Sequence, residues 1–288
     1  MQWYEINEPA DPELDRLAAK YNLHPLHIED CRHRNQNAKV EPLNDYLFIV
    51  LKSVEMSEDC VIDFGDVDIF IGPDYVITVQ EQKSSAVSDA LVRVRSIRQD
   101  LRPDQTLYRI MDWLVDSYTP VLDRLSDRID EMEDRALTET GNEVLQTIFD
   151  MKRALVQLRR VLGHTRDVVG HLLRNEFPAV NGDLMPFLRD VYDHLVRNMD
   201  LVEVYRDLLT GTTELYLSSV SNRTNQIMKV LTVAGTIATP ALVITGIYGM
   251  NLKHIPFAEH PQSFGIVSGI IFTVSALLLL AMRKVRWF

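Results

Sequence analysis

The stretch VLTVAGTIATPALVITGIYGM, from Val230 to Met250, is 21 residues without a charge. A second one, FGIVSGIIFTVSALLLLAM, runs for 19 residues from Phe264 to Met282. Each reaches the roughly 20 residues a helix needs to cross about 30 Å of hydrocarbon. Only 13 residues, Asn251 to Ser263, lie between them. The pattern predicts a hairpin of two membrane-spanning helices. The competing reading is a pair of buried core helices, but soluble cores seldom run two such stretches in succession.

Upstream, from Met185 to Met250, only Pro186 and Pro240 interrupt helix formers. Pro186 sits in a first turn, where proline is tolerated. Pro240 falls inside the first span, where a kink is tolerable. These 66 residues predict a rod on the order of 100 Å long. Its cytoplasmic part is expected to project as a stalk, and a helix of that length needs partners, which favours a parallel bundle of subunits.

Charge sets the orientation. Lys229 precedes the first span, and Arg283, Lys284 and Arg286 follow the second. By the positive-inside rule both termini are expected in the cytoplasm, and the loop with Lys253, His254, Glu259 and His260 outside. Residues 229–288 hold five Lys/Arg against one acid, a net of +4. The chain carries −11, so residues 1–228 carry −15. Such a body does not suit nucleic acid and does suit attraction of cations. The opening Met1-Gln2-Trp3-Tyr4-Glu5 lacks the basic and apolar regions of a signal peptide. Cys31 and Cys60 are expected in a reducing compartment, without a disulfide.

Residues 1–82 read as a cytoplasmic α/β sheet region. Strands are expected at Trp3–Ile6, Tyr46–Val54, Val61–Ile71 and Tyr75–Gln80, with Gly72-Pro73-Asp74 as a hairpin turn. Short helices are expected at Pro12–Tyr21 and His24–Asp30. Residues 83–184 read as helical: one helix capped by Asp104 and running on to about Ala136, then a second from about Asn142 to Leu173, antiparallel to the first. The acids Asp123, Asp127, Asp130, Glu131, Glu133 and Asp134 read as a solvated face or as cation attractors. The remaining divisions are a stalk at 185–229, a first span at 230–250, an outer loop at 251–263, a second span at 264–282 and a basic tail at 283–288.

Along the first span Asn225, Met228, Leu231, Gly235, Thr239, Leu242, Gly246 and Gly249 recur at steps of three and four and form one stripe. Small residues there suit close packing of membrane helices. A polar ring at Asn225 followed by apolar rings suits instead a gate that closes by dewetting. At the outer end, Gly249 would let backbone approach a ligand and Asn251 offers an amide oxygen. Mg²⁺ takes oxygen ligands and sheds water reluctantly, so such a ring would hold a hydrated ion. A plain helix C-cap explains the same residues equally well.

Tyr248-Gly249-Met250-Asn251, at the outer end of the first of two terminal spans, resembles the signature of the CorA family of divalent cation transporters. The tail Arg283-Lys284-Val285-Arg286-Trp287-Phe288 fits it too. The resemblance extends to Phe187–His194, Tyr216–Asn225 and Leu23–Asp30, and so covers nearly the whole chain. It implies a funnel-shaped homopentamer in a bacterial or archaeal plasma membrane. The first span would line the pore, and Gly249, Met250 and Asn251 would form the selectivity filter. It implies passive transport of Mg²⁺, and often Co²⁺ or Ni²⁺, with cytoplasmic Mg²⁺ between subunits holding the pore closed. The matching regulatory positions are Glu29, Asp30, Asp112 and Asp190, with Asp30 paired to Asp190 of a neighbour. Without the resemblance each would read as an ordinary surface carboxylate. Thr239 and Leu242 depart from the residues the family often carries, as does the loop Ile255-Pro256-Phe257-Ala258 with Glu259.

His24, His27, Cys31 and His33 raise the question of zinc, but their spacing fits no common finger, and Leu26 and Ile28 indicate a packed helix. No Walker, G-x-S-x-G or H-E-x-x-H motif is present, so neither enzymatic nor ATP-driven activity is expected. Three functions are therefore compared: a passive Mg²⁺ channel, a Zn²⁺ transporter of the same architecture and possible proton coupling, and a non-conducting, membrane-anchored metal sensor.

Overall fold

The structure is a computed structural model. It describes residues 1–33, 36–43, 45–57, 61–80, 92–94, 96, 101–139, 141–174, 177–250, 255–256 and 260–284. The chain forms two compact units, Met1–Glu214 and Leu215–Phe288.

The first unit is built on a five-stranded sheet: β1 Gln2–Ile6, β2 Lys39–Pro42, β3 Leu47–Met56, β4 Ile62–Ile71 and β5 Tyr75–Gln80. The order is β1-β5-β4-β3-β2, with β1 parallel to β5 and the other pairs antiparallel. One strand was not legible in advance. The β2 sequence Lys-Val-Glu-Pro is short, charged and ends in proline, which is how sheet edges avoid further pairing but leaves no apolar alternation to read.

Both faces of the sheet are covered. Helices α1 (Pro12–Tyr21) and α2 (Pro25–Arg32) supply Leu14, Leu17, Ile28 and Cys31 to a core with Phe48, Val50, Phe70, Ile77 and Val79. Asp11 caps α1 by accepting from Glu13 N at 2.9 Å. Helix α3 (Pro103–Asp116) lies against β3, β4 and β5. It buries Leu107, Ile110, Met111 and Leu114 at the helical spacing visible in the sequence.

Two expectations about this region are corrected. The helix begins at Pro103, with Arg102 as its N-cap, and Gln105 Oε1 accepts from Arg102 N at 3.1 Å. Asp104 is not the cap but a buried anchor that holds Arg102 Nε at 3.1 Å and Asn181 Nδ2 at 2.8 Å. Burial opposes its charge, yet these hydrogen bonds keep its pKa below the ordinary carboxylate value. The helix also does not run on to Ala136. It ends at Asp116, and α4 (Tyr118–Thr138) follows after Ser117. Pro120 cannot donate to the carbonyl four residues back, and the Ser117 hydroxyl turns to Leu114 O at 2.6 Å instead.

Helix α5 spans Asn142–Arg174 and α6 spans Met185–Tyr248. The α5 positions Val144, Ile148, Met151, Leu155, Leu158 and Leu162 are buried at alternating steps of four and three. In the first unit α6 repeats this with Leu188, Val191, Leu195, Asn198, Val202, Tyr205, Leu209 and Thr212. That periodicity is the seam of coiled-coil packing. Asn198 and Thr212 are polar exceptions; Thr212 Oγ1 bonds Leu208 O at 2.9 Å and Glu133 Oε1 at 3.4 Å.

In the second unit α6 runs on to Tyr248, and α7 covers Ser263–Lys284. Both are long and apolar enough to cross a membrane, and almost none of their apolar windows is buried.

Tyr118 joins the helical layer to the sheet. Its fully buried hydroxyl donates to Lys52 O at 2.6 Å. Tyr118→Phe removes that donor without leaving a large cavity. It should destabilise the protein by about 1–3 kcal/mol, read as a lower midpoint in denaturant unfolding of the detergent-solubilised chain.

Candidate functional site

The first set of predicted site residues lies on α6 in the second unit. From Val230 onward its half-buried positions are Thr232, Val233, Thr236, Pro240, Ala241, Ile244 and Tyr248. On α7 they are Ser263, Ile266, Val267, Ile271, Ser275, Ala276, Leu278, Leu279 and Met282. Ser275 Oγ reaches Ile237 O at 3.4 Å, so these are the facing sides of the two helices. The stripe Asn225, Met228, Leu231, Gly235, Thr239, Leu242, Gly246 is exposed throughout. At 3.6 residues per turn it lies on the opposite side of α6 from the α7-facing positions. Leu231 is 66% and Leu242 70% exposed, which is uncovered apolar surface on a helix already partnered on its other side.

The end of α6 is tight. Gly249 N bonds Thr245 O at 2.9 Å, and Met250 N bonds Ile247 O at 3.2 Å. A Cβ on Gly249 would sit 3.2 Å from the Thr245 carbonyl oxygen, closer than most side chains tolerate. Tyr248 Oη donates to Pro256 O at 2.7 Å and ties the following loop to the helix. Asn251, and with it Lys253, His254, Phe257, Ala258, Glu259 and the tail beyond Lys284, lies outside the described residues.

The second set lies in the first unit, and only part of it comes together. Asp112 on α3 and Asp190 on α6 are neighbours, and the Asp190 charge adds to the cost of ionising Asp112. Burial foremost, and then the Asp116 charge, push Asp112 above the ordinary carboxylate value. Tyr108 Oη donates to Asp112 Oδ2 at 3.4 Å. His194, one turn beyond Asp190, lies 3.6 Å from Asp116 Oδ1 and 4.0 Å from Asp190 Oδ2. Asp190 itself is largely exposed. Asp116 and His194 were missed from the sequence, although each stands four residues from a predicted acid and so on the same helix face.

Glu29 and Asp30 are occupied differently. Glu29 is exposed, and its carbonyl takes His33 N at 3.0 Å. Asp30 accepts from Lys39 Nζ at 2.7 Å, and Lys39 also holds Glu41 at 2.9 Å. A dication at Asp30 would have to displace that ammonium group. Among the described residues of one chain, no group of three or more His, Cys, Asp or Glu is arranged to hold a metal.

The histidine cluster is accounted for by packing. His27 stacks on Phe48 at 4.3 Å, with Tyr46 Oη and Glu41 Oε2 each 2.8 Å from its ring nitrogens. His24 Nδ1 caps α2 at Leu26 N, and His33 Nδ1 reaches Glu29 O. The Cys31 thiol is buried, and burial pushes its pKa far up.

The family described as CorA-like Mg²⁺ transporter protein matches residues 1–284. The chain belongs to the CorA family. The cobalt/magnesium transport protein CorA of Thermotoga maritima is 33% identical over 278 residues, 95% of this chain and 79% of that protein. The CorA of Methanocaldococcus jannaschii is 27% identical over 293 residues, 99% of this chain and 90% of its own. The complete structure of the M. jannaschii CorA magnesium transporter superposes with a TM-score of 0.87, covering 99% of this chain and 91% of that one at 28% identity. The full-length CmaX structure shares the fold, with a TM-score of 0.79 at 20% identity, covering 99% of this chain and 88% of that one. The CorA membership thus spans both units and accounts for the α/β domain, the long helix and the two terminal apolar helices together.

If the exposed stripe faces water in the assembled CorA protein, cysteines along it should react with a membrane-impermeant thiol reagent. In a background with Cys31 and Cys60 replaced, Met228→Cys and Gly246→Cys should label at least about tenfold faster than Val233→Cys on the α7-facing side. Equal rates would mean that the stripe is not the water-facing side.

Proposed function

We propose that this CorA-family chain forms a homopentameric channel that conducts divalent cations passively, Mg²⁺ first, with Co²⁺ or Ni²⁺ alongside. The observation that carries the reading is the exposed stripe on α6, opposite the side that meets α7. Five copies related by a central axis would turn that stripe inward and leave α7 toward lipid. Thr239 and the glycines 235, 246 and 249 would give small, weakly polar rings, and Met228, Leu231 and Leu242 would give rings able to dewet. Asn251, with Gly249 and Met250, would form the filter. Neutral amide and carbonyl oxygens can hold a hydrated dication without the deep trap that a ring of carboxylates would make. The relatives named for magnesium and cobalt transport support this choice of ions.

Closure follows from the acids of the first unit. Asp112 and Asp190, with Asp116 beside them, repel one another when empty and would be bridged by a dication brought together with Glu29 and Asp30 of a neighbouring subunit. An ion that binds only the closed state stabilises it by RT ln(1 + [L]/Kd) at each site. Rising cytoplasmic Mg²⁺ therefore closes its own entry route. Both termini are assigned to the cytoplasmic side of the plasma membrane on the charges that flank the spans.

The test is uptake into proteoliposomes that hold the purified protein and a trapped Mg²⁺-sensitive dye. Wild type should admit Mg²⁺ without an added energy source, and Asn251→Ala should lower the initial rate at least about tenfold. Zn²⁺ entry driven by a proton gradient, with no Mg²⁺ entry, would move the protein to the zinc reading, for which the Ile255-Pro256-Phe257-Ala258 loop would then be the place to look. A chain that binds metal but passes none would be the non-conducting sensor.

Asp190→Lys gives a separate check on gating. It places a cation beside Asp112 and removes one ligand, so internal Mg²⁺ should lose most of its power to stop the flux. Unchanged inhibition would reject Asp190 as a regulatory position while leaving the pore assignment intact.

A further inference from the structure

The sheet face beneath α2 carries three charged side chains in an otherwise apolar core. Lys52 on β3 and Asp66 and Asp68 on β4 are 6%, 5% and 3% exposed. The strand register sets Lys52 directly opposite Asp66, and Asp68 between Val50 and Val79. The first pair satisfies itself. Lys52 Nζ donates to Asp66 Oδ1, and Gln36 N donates to Asp66 Oδ2 at 3.1 Å. Asp68 has no equivalent arrangement. Its polar neighbour is the Cys31 thiol of α2, and its Oδ1 has no hydrogen-bond partner among the described residues.

The charged groups around Asp68 do not compensate it. From α2 come Cys31 and Asp30, from β3 Lys52, and from its own strand Asp66. Two of these are carboxylates, and Lys52, the cation among these described residues, is taken by Asp66. Asp30 is itself bound to Lys39. His27, farther along α2, is committed to Tyr46 and Glu41, and burial lowers its pKa, which keeps its ring neutral at ordinary pH. A buried carboxylate without a counter-charge is far more costly than a buried neutral acid. Burial foremost, with Asp66 and Asp30 adding to it against the Cys31 hydrogen bond, pushes Asp68 up to about 7. Cys31 stays protonated across this range and remains a donor.

We infer that Asp68 is a proton sensor under α2: the neutral acid lets Ile28 and Cys31 seat the helix on the sheet, and the ionised form loosens that seat. Helix α2 also carries Glu29 and Asp30, so a rise in cytoplasmic pH weakens the arrangement through which Mg²⁺ closes the pore. That last consequence rests on the regulatory role proposed above for those two acids; the protonation of Asp68 and the seating of α2 do not.

The direction follows from linkage. Below the ordinary carboxylate value, folded and unfolded chains are both protonated at Asp68, and the residue costs nothing. As pH climbs from there to about 7 the unfolded chain ionises first, and the folded state loses stability. Above about 7 the full penalty is in place. A shift of about three pH units corresponds to about a thousandfold in the folding equilibrium.

Two measurements on the full chain in detergent test this. The first is hydrogen exchange of the α2 amides, Leu26 to Arg32, at about pH 6 and about pH 8, corrected for intrinsic exchange. Wild type should lose about tenfold in protection over that interval, and Asp68→Asn should lose almost none. Equal losses in the two proteins would overturn the proposal. The second needs no variant and so does not depend on Asp68→Asn folding. Infrared difference spectra of wild type should show the carbonyl stretch of a protonated buried acid at about pH 5, lost with a midpoint near 7. No such band at the acidic end would overturn the proposal independently. In proteoliposomes, inhibition by internal Mg²⁺ should weaken as internal pH rises in wild type but not in Asp68→Asn. If α2 responds and inhibition does not, the link to Glu29 and Asp30 falls, while the channel reading, tested by Asn251→Ala, is untouched.

Discussion

The terminal helices expose apolar surface that no other described residue covers, and much else in the molecule depends on this. Phe264 is 86% exposed, Phe272 78%, Leu280 63% and Leu242 70%. In water each such side chain forgoes roughly 1.5–3 kcal/mol of burial. Their backbone groups, by contrast, are satisfied within the helices, the condition that hydrocarbon imposes on anything that crosses it. Outside its contact with α6, helix α7 exposes Phe264, Ile270, Phe272, Val274, Leu277 and Leu280 among small residues, as suits lipid. The free side of helix α6 mixes Gly235, Thr239 and Gly246 with Leu231 and Leu242. A surface of that mixture is poor against lipid and good against copies of itself around water. The proposed pentamer would therefore draw on the free side of α6 more than on hydrophobicity as such.

The acidic character of the first unit resolves into three physical settings. Asp104 and Glu41 are paired: each has a cation and a hydrogen-bonding network, and each keeps its pKa below the ordinary value. Asp68 is buried with no free counter-charge among the described residues and goes the other way. Asp112 stands between these, half-buried and beside Asp116 and the exposed Asp190. Only the last setting suits reversible capture of a dication. A paired carboxylate must give up its partner, and a sealed one is out of reach. A half-buried group of like charges, open on one side, gains most from a divalent ion that arrives with part of its water.

Most of the architecture could be read from the sequence because it is written in periodicities. The uncharged runs, the helical spacing in α3 and the near-continuous apolar runs of the strands Leu47–Met56 and Tyr75–Gln80, buried on both faces, each follow from one chain's need to bury or expose a face. What escaped had other causes. The edge strand Lys39–Pro42 is defined by its neighbour β3 rather than by its own pattern. The break at Ser117 is set by one missing N–H at Pro120 inside a continuous apolar stripe. Asp104 has the composition of a cap but is consumed by Arg102 and Asn181, which lie far apart in the chain. The site was legible to the extent that it lies on one helix, as the α6 stripe does. Asp116 and His194 become meaningful only once α3 and α6 are side by side, and the ion pair from Lys39 to Asp30 belongs to a strand the pattern did not disclose.

Helix α6 is also unevenly stiff, and this bears on how an ion bound near Asp190 could influence residues some fifty positions later. In the first unit it is held at every turn by the heptad seam from Leu188 to Leu209, so displacement there moves the helix as a body. Beyond Val230 the restraints change. Thr232, Thr236, Thr239 and Thr245 each turn their hydroxyl back to the carbonyl four residues earlier, at 2.6–2.8 Å. Such back-bonding lengthens the local helical hydrogen bonds and favours bending. Pro240 removes one of those bonds outright. Thr210, Thr212, Thr213 and Thr224 bond back in the same way, so what sets apart the segment from Thr232 to Thr245, which carries Gly235, Thr239 and Leu242, is Pro240 and its place beyond the seam. In the proposed channel that bend would fall among the rings formed by Gly235, Thr239 and Leu242.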